Sequence, residues 1–250
     1  MTEIEAVVLA ARPNDGRLAG ESQEPYEANI DIAGQPMVKY VLDALNDIPS
    51  VVKIHLIGPA EGIARYKGGK VETLEPGKDL FDNVRLGISA AQTECVLICA
   101  SDVPLVTKPI VEAFIQRCLE SEADFCYPVL EKGDCDKAFP GTERTYVTTK
   151  EGSFTGGNLL MVRKSALTRA WPMVERMITY RKSPFKMAMA LGPVLLIKFL
   201  LKTVSIAELE QKVGRLLEMK PKAILNVAPE IGIDVDKPSD LELCRRILGK

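Results

Sequence analysis

Short runs of apolar residues recur along the chain, and each has the length expected of a buried strand. They are rich in Val and Ile and lie at residues 6–11, 51–58, 95–100 and 223–228. Amphipathic helical patterns lie between them and begin at Pro36, Leu80 and Lys108. Because strands that alternate with helices form right-handed crossovers, this order predicts a mostly parallel sheet with helices on both faces, a three-layer α/β/α fold.

The middle of the chain follows a different pattern. Residues 124–162 contain strand-like pieces separated by Gly, Pro and Asp turns, which predicts a small antiparallel excursion beside the main sheet. From Ser165 the pattern is helical, and Ser205 with Glu208 has capping-box spacing. We interpret residues 181–217 as a helical insertion towards the C-terminus. Nothing marks a domain boundary, so residues 1–250 are predicted to form a single domain.

The composition is that of a globular protein with a sizeable core. Hydrophobic residues make up 46% and charged residues 26% of the chain, and the formal net charge is -2. Without a basic block, nucleic acid is a poor candidate partner. The six cysteines are scattered singly, as expected for reduced thiols in the cytoplasm.

The N-terminus does not have the features of a signal peptide, so we expect a cytoplasmic protein. The apolar stretch 187–201 is interrupted by Gly192, Pro193 and Lys198, and it is shorter than the roughly 20 apolar residues that span a bilayer. No transmembrane segment is therefore predicted.

Asp102 directly follows an apolar strand, where ligands bind in open parallel sheets. A carboxylate that loses water there is retained most easily when it binds a cation such as Mg²⁺. Capping of the next helix is the competing interpretation, but Thr107 already occupies the capping position. We therefore favour the interpretation of Asp102 as a metal ligand.

Two further carboxylates lie near the C-terminus. Asp234 and Asp236 alternate with Ile233 and Val235 at strand period, so both carboxylates should project from one face of a strand. Such a pair is suited to a divalent cation. Asp240 lies near the start of the last helix, where the helix dipole explains it.

The long loop after the first strand is rich in Gly, Asn and Asp. Its backbone amides could surround a phosphate, and Arg12 or Arg17 could add charge, although an ordinary surface loop is an equally good interpretation. Gly156 and Gly157 before Asn158 would let the backbone approach a ligand, or would simply form a tight turn.

The single histidine is the next candidate for catalysis. His55 lies within an apolar strand and is predicted to be a core residue. Since it is the only histidine in the chain, catalysis by a His base is not expected.

Together, five segments resemble the NTP-transferase proteins of the glycosyltransferase-A-like, Rossmann-like fold, especially the molybdenum cofactor guanylyltransferase-like group. They are VVLAARPNDGRL, IDIAGQPMVKYVLDAL, ASDVPL, FTGGNLLMV and IDVDKPSDLEL. The resemblance implies a nucleoside triphosphate at the carboxyl edge of the sheet and a bound Mg²⁺ or Mn²⁺. It implies Asp102 as the first metal ligand and Asp236 or Asp234 as the second.

The resemblance also implies roles for other residues. The nucleotide would be bound by Ala10, Ala11, Arg12, Asn83 and Asp102. Arg17 and Asp102 would be catalytic. The acceptor would be bound by Gly156, Gly157 and Asn158.

The first loop departs from the family pattern at two positions. Arg12 stands where the family has a glycine, and Glu27 stands where a lysine contacts the triphosphate. A carboxylate at that position would repel a triphosphate. Arg17 would then compensate, the nucleotide would bind in a modified way, or transferase activity has been lost.

Three functional hypotheses follow. The first is a Mg²⁺-dependent nucleotidyltransferase that transfers an NMP from an NTP to a small phosphorylated acceptor and releases pyrophosphate. The second is a catalytically silent nucleotide-binding or regulatory module. The third is a glycosyltransferase that uses an NDP-sugar. The helices of 181–217 lie outside the usual family pattern and could pack on the sheet, form a homodimer interface or contact a lipid-linked acceptor; we favour plain core or interface.

Overall fold

The computed structural model describes residues 2–180 and 192–249. The strands are β1 (Ile4–Leu9), β2 (Asp31–Ile32), β3 (Gln35–Pro36), β4 (Val51–Ile57), β5 (Val71–Leu74), β6 (Cys95–Ala100), β7 (Phe125–Glu131), β8 (Val147–Thr148), β9 (Ser153–Gly156), β10 (Leu159–Arg163) and β11 (Pro221–Ile224). The helices are α1 (Met37–Asn46), α2 (Ala60–Ile63), α3 (Leu80–Ala90), α4 (Lys108–Glu120), α5 (Lys132–Ala138), α6 (Lys164–Tyr180), α7 (Pro193–Leu200), α8 (Ile206–Leu217) and α9 (Pro238–Leu248).

Among the described residues, nine strands form one mixed sheet in the order β5-β4-β1-β6-β10-β7-β9-β8, with β11 paired to β7. The first half is parallel, because β1 pairs in parallel with both β4 and β6. The predicted α/β fold is confirmed. The predicted antiparallel excursion is also present, and it continues the same sheet, because β10 pairs antiparallel with both β6 and β7.

Helices cover both faces of the sheet, and alternation along β1 decides which side chain meets which layer. Ala6 and Val8 belong to one buried cluster with residues of α1 and α4, whereas Val7 belongs to another with residues of α3 and α6. Helix α3 lies very close to β1, because a Cβ atom at Gly87 would overlap the side chain of Val7. Burial of each such Val, Leu or Ile side chain contributes roughly 1.5–3 kcal/mol to stability.

The structure corrects three local predictions. The strand predicted at 223–228 is only β11 and ends at Ile224, because the backbone turns at Asn226, where φ is 50°. Helix α5 lies in a region predicted to contain strands only. Thr107 does occupy the N-cap of α4, but its side chain makes no capping hydrogen bond.

The capping box of the predicted insertion is confirmed. The side chain of Ser205 accepts a hydrogen bond from the Glu208 amide, and the Glu208 side chain accepts one from the Ser205 amide. The described part of the insertion consists of α7 and α8. Residues 181–191, which include the start of the apolar 187–201 stretch, lie outside the described residues. Among the helices described, none is long and apolar enough to cross a bilayer.

His55 is a core residue, as predicted, and is 2% exposed. Its Nε2 lies 2.5 Å from Oε2 of Glu5, which is 3% exposed. The other oxygen, Oε1, accepts hydrogen bonds from the amides of Gln92 and Thr93 at 2.8 and 3.1 Å. This network joins β1, β4 and the turn before β6, at the end of the sheet opposite to Asp102.

We expect Glu5→Ala to destabilise the protein by about 3 kcal/mol, because it leaves His55 and two backbone amides without their partner. Burial acts to raise the pKa of Glu5, but the hydrogen bonds from His55 and the amides outweigh it and lower the pKa. A lowered folded-state pKa stabilises above the unfolded value and the effect is lost as the pH falls through the folded-state value. In urea unfolding, the free energy of unfolding of Glu5→Ala should therefore be lower than that of the wild type at pH 7, and this difference should shrink below about pH 4.5. The exposed Glu3→Ala serves as the control; an equal loss in both variants would contradict this account.

Candidate functional site

The candidate site is built around Asp102, which follows the carboxyl end of β6. Its Oδ1 atom is buried and has no hydrogen-bond partner within the described part of the chain. Its backbone oxygen accepts a hydrogen bond of 2.9 Å from the amide of Val235. This bond holds the segment that carries Asp234 and Asp236 against the end of β6.

The segment 233–237 is not a strand, which corrects the prediction of one. It lies between a short 3-10 helix (Pro229–Gly232) and α9. The predicted alternation nevertheless holds, since Ile233 and Val235 are fully buried while Asp234 and Asp236 are partly exposed. Extended backbone alone produces this alternation, and sheet pairing is not required.

The three carboxylates influence one another. Burial, followed by the charges of Asp234 and Asp236, raises the pKa of Asp102 to about 7. A carboxyl group in this position is costly to ionise unless a cation approaches it. The unpartnered Oδ1 is therefore the atom at which a cation would be most favourable.

Arg12 lies between two of the acidic side chains. Its Nη1 donates a hydrogen bond of 2.6 Å to Oδ1 of Asp236, and its Nε lies 3.0 Å from Oε2 of Glu27. Burial acts to raise the pKa of Asp236, but the hydrogen bond and charge of Arg12 outweigh it and lower the pKa. Burial raises the pKa of Glu27 by more than Arg12 lowers it. The two atypical first-loop residues are thus partners in one ion pair, which only the structure reveals.

The first loop is a folded unit, and its own hydrogen bonds hold it in place. The side-chain amide of Asn14 donates to the backbone oxygens of Ser22 and Glu24, and the Glu27 amide donates to the oxygen of Arg12. Leu18 anchors the loop in a buried cluster with Ile233 and Val235. The loop is therefore packed against the segment that carries the C-terminal carboxylates.

A polar pocket of about 310 Å³ opens beside these residues. Arg17, Arg144, Lys237, Asp234 and Asp236 are among its lining side chains. Arg144 donates a hydrogen bond of 2.8 Å to Asp234, and its Nε is buried without a partner within the described residues. The sequence does not predict a role for Arg144 or Lys237, because Arg144 lies in an irregular segment far from Asp234 along the chain.

Only some of the predicted nucleotide-binding residues lie at the same sheet edge as Asp102. Ala10 and Ala11 follow β1, whose last residue pairs with the last residue of β6, so they lie at the same sheet edge as Asp102. Asn83 is 7% exposed in the first turn of α3, and its Oδ1 accepts a hydrogen bond of 2.7 Å from the Gly77 amide. Its position is explained by the shape of the loop before α3, and contact with a base or ribose stays a prediction.

Asn158 and the two glycines before it lie next to the end of β6. The Ala100 amide donates a hydrogen bond of 3.1 Å to the backbone oxygen of Asn158. A Cβ atom at Gly157 would lie 2.6 Å from Cγ2 of Ile231, and one at Gly156 would overlap the Tyr127 ring. Close packing explains both glycines, and contact with an acceptor stays a prediction.

We expect Gly157→Ala to lower the free energy of unfolding by about 1–3 kcal/mol, because Ile231 and Pro128 leave no room for a methyl group. Gly133→Ala is the matched control, since nothing lies within 4 Å of a Cβ at that helical position. Thermal unfolding of both variants tests this. A Gly157→Ala variant as stable as the control would show that the segment moves easily, as a ligand-contacting turn would.

The described residues offer one free ligand atom for a cation and do not form a complete set of metal ligands. Within residues 2–180 and 192–249, no group of three or more His, Cys, Asp and Glu side chains is arranged to hold a metal ion. Asp236 and Asp234 are held by Arg12 and Arg144, which leaves Oδ1 of Asp102 as the free ligand atom. Further ligands would come from the phosphates of a bound nucleotide and from Asp236 or Asp234 after it separates from its arginine.

A strand-end aspartate at the carboxyl edge of a half-parallel sheet is typical of nucleotide-binding α/β proteins. The family model of the MobA-like NTP transferase domain matches residues 17–219, and the chain belongs to this family. The match includes Asp102 but begins after Arg12 and ends before Asp234.

A solved structure described as a hypothetical transferase from Thermus thermophilus is similar over nearly the whole chain. It is 32% identical, with a TM-score of 0.86, and the alignment covers 96% of this chain and 100% of that one. No curated protein matches the chain.

More distant structures share the fold. A 4-diphosphocytidyl-2C-methyl-D-erythritol synthase from Anaerococcus prevotii is 12% identical with a TM-score of 0.62, covering 100% of this chain and 97% of that one. A CMP:2-keto-3-deoxy-manno-octonic acid synthetase complexed with CTP is 14% identical with a TM-score of 0.62, covering 99% of this chain and 98% of that one.

Proposed function

We propose that this chain transfers an NMP group from an NTP to a small phosphorylated acceptor and releases pyrophosphate. The observation that carries the proposal is the buried Oδ1 of Asp102, which has no hydrogen-bond partner among the described residues and lies at the carboxyl end of β6 next to two further carboxylates. Such a group is retained at a cost to stability, and a metal-bound triphosphate would offset that cost.

Asp102, with Asp236 or Asp234, would hold Mg²⁺ or Mn²⁺. The ion would neutralise charge on the triphosphate and on the departing pyrophosphate. Arg17, which lines the polar pocket beside Asp236, would add a positive charge to the same phosphates. The loop 10–27, held by the bonds of Asn14, would present its backbone to the nucleotide.

In this proposal an anionic acceptor binds in the polar pocket, whose lining carries three basic and four acidic side chains. Arg17, Arg144 and Lys237 line it, but Arg144 and Lys237 already pair with Asp234 and Glu143, so Arg17 is the cation that would contact the acceptor phosphate. An oxygen of the acceptor phosphate would form the new bond to the α-phosphorus. The bond between that phosphorus and the bridging oxygen would break, and pyrophosphate would leave with its electron pair.

The test is pyrophosphate release from each of the four NTPs with Mg²⁺ and a set of phosphorylated acceptors. Calorimetry with each NTP separates binding from turnover. Release that depends on both an NTP and an acceptor is the expected result. Absence of binding for every NTP at millimolar concentration would refute the proposal.

A catalytically silent nucleotide-binding module is the second candidate. The observation that favours it is the clamp of Arg12 between Glu27 and Asp236, which occupies a carboxylate that a metal would need. This function predicts NTP binding without turnover. Measurable turnover of the wild type would dismiss it.

A further inference from the structure

An apolar groove lies between α8 and the strands β7, β9 and β11. Its volume is about 260 Å³, and it is separate from the polar pocket. Phe125, Tyr127 and Val129 alternate along β7 and so face the groove from one side of the sheet. Leu209 and Val213, one helical turn apart on α8, form the opposite wall.

Three polar side chains at the rim, Glu210, Lys222 and Thr149, already have partners. Glu210 accepts a hydrogen bond of 2.8 Å from the Ala223 amide and lies 3.4 Å from Nζ of Lys222. Thr149 donates a hydrogen bond to Glu151. A polar ligand would gain little from this rim and would lose its own hydration, whereas a hydrocarbon chain would gain by leaving water.

The groove adjoins the candidate active site. Thr155 lines both the groove and the polar pocket. Strand β8 pairs only with Ser153 and Phe154, so it does not cover the edge of β9 at Thr155 and Gly156. The Tyr127 hydroxyl lies against Gly156, the neighbour of Thr155 in β9. The groove and the polar pocket thus meet at Thr155, on either side of the β7–β9 edge of the sheet.

We propose that the groove binds the hydrocarbon tail of an acceptor whose phosphate lies in the polar pocket. The acceptor class is a phosphate monoester of an alkyl or prenyl alcohol. This inference rests on the proposed function, because the polar pocket defines where the phosphate is held. Among the described residues none fills the groove, so a compact polar acceptor would leave 260 Å³ of carbon-lined space beside Thr155 empty.

Calorimetry of the full chain with octyl phosphate and methyl phosphate tests the proposal. Octyl phosphate is expected to bind at least about tenfold more tightly, since each fully buried methylene group contributes up to about fourfold. Octyl maltoside, with the same tail and an uncharged head, is expected to bind much more weakly than octyl phosphate.

Groove variants locate the tail. Val129→Asn is expected to reduce the affinity for octyl phosphate at least about fivefold and to leave that for methyl phosphate unchanged. Leu209→Asn tests the same wall from α8, should the β7 variant fold poorly. Val52→Asn makes the same change on β4 at an exposed position outside the groove, and it should alter neither affinity.

Three results would overturn the inference. They are equal affinity for octyl and methyl phosphate, octyl phosphate binding that is unchanged in both groove variants, and octyl maltoside binding as tight as octyl phosphate binding. If the chain binds NTP and methyl phosphate but the tail adds nothing, only the groove inference fails. If it binds no NTP at all, the proposed function fails, and the groove has no acceptor role.

Discussion

Asp102→Asn is expected to reduce pyrophosphate release by at least about 100-fold, because it removes the charge that would hold the metal-bound triphosphate. The side chain keeps its shape, so the fold should be retained. Steady-state release of pyrophosphate measures the effect. Asp47→Asn, at an exposed position after α1, is the matched control. An Asp102→Asn variant with full turnover would remove the central residue of the proposed function.

The same substitution is expected to stabilise the ligand-free protein. The pKa of Asp102 is raised to about 7 by burial and by Asp234 and Asp236, so the folded state retains a proton that the unfolded state loses near pH 4. The wild type therefore loses stability as the pH rises from about 4 to about 7. Above pH 7 the variant should be more stable by up to about 4 kcal/mol, and below pH 4 the two should be alike.

Thermal unfolding with added Mg²⁺ connects these two expectations. Binding to the folded state should raise the melting temperature of the wild type above pH 7 and should not raise that of Asp102→Asn. Equal responses of both proteins would show that the ion binds elsewhere. This measurement does not require turnover, so it remains informative if the chain is a silent module.

Replacement of both Arg12 and Glu27 is expected to have the second largest effect, which is on the affinity for NTP. The double variant Arg12→Gly/Glu27→Lys should bind NTP about tenfold more tightly than the wild type, because it frees Asp236 and places an ammonium group towards the phosphates. Calorimetry with each NTP measures the change. Weaker binding by the double variant would show that Arg12 itself contacts the nucleotide.

The two single variants, measured with the double variant, form a double-mutant cycle for stability. Arg12→Gly leaves the Glu27 carboxylate, which is 3% exposed, without its counter-charge. We expect a loss of about 1–3 kcal/mol, reduced by solvent screening because the Arg12 side chain is 55% exposed. Glu27→Lys places two cations together and should also destabilise. Urea unfolding should therefore show that the double variant is more stable than the two single losses would predict when added.

Part of the site could be predicted because Arg12 and Asp102 follow β1 and β6, whose carboxyl ends lie at the same edge of the sheet. Asp102 was identified from a carboxylate after an apolar strand, and the structure places it beside Asp234 and Asp236 as expected. Arg144 and Lys237 were missed, because their proximity to the site depends on the path of irregular segments. Helix α5 was missed for a related reason, since seven residues are too few for a clear helical period.

The sequence by itself determined the α/β class, the parallel half of the sheet and the strand-end position of Asp102, because apolar periodicity is local and parallel strands converge at one edge. The tertiary structure alone decided that Arg12 pairs with Glu27 and Asp236, and that an apolar groove meets the polar pocket at Thr155. These contacts join residues that are distant in sequence. Their energies depend on burial and on distances between charges, which no local pattern encodes.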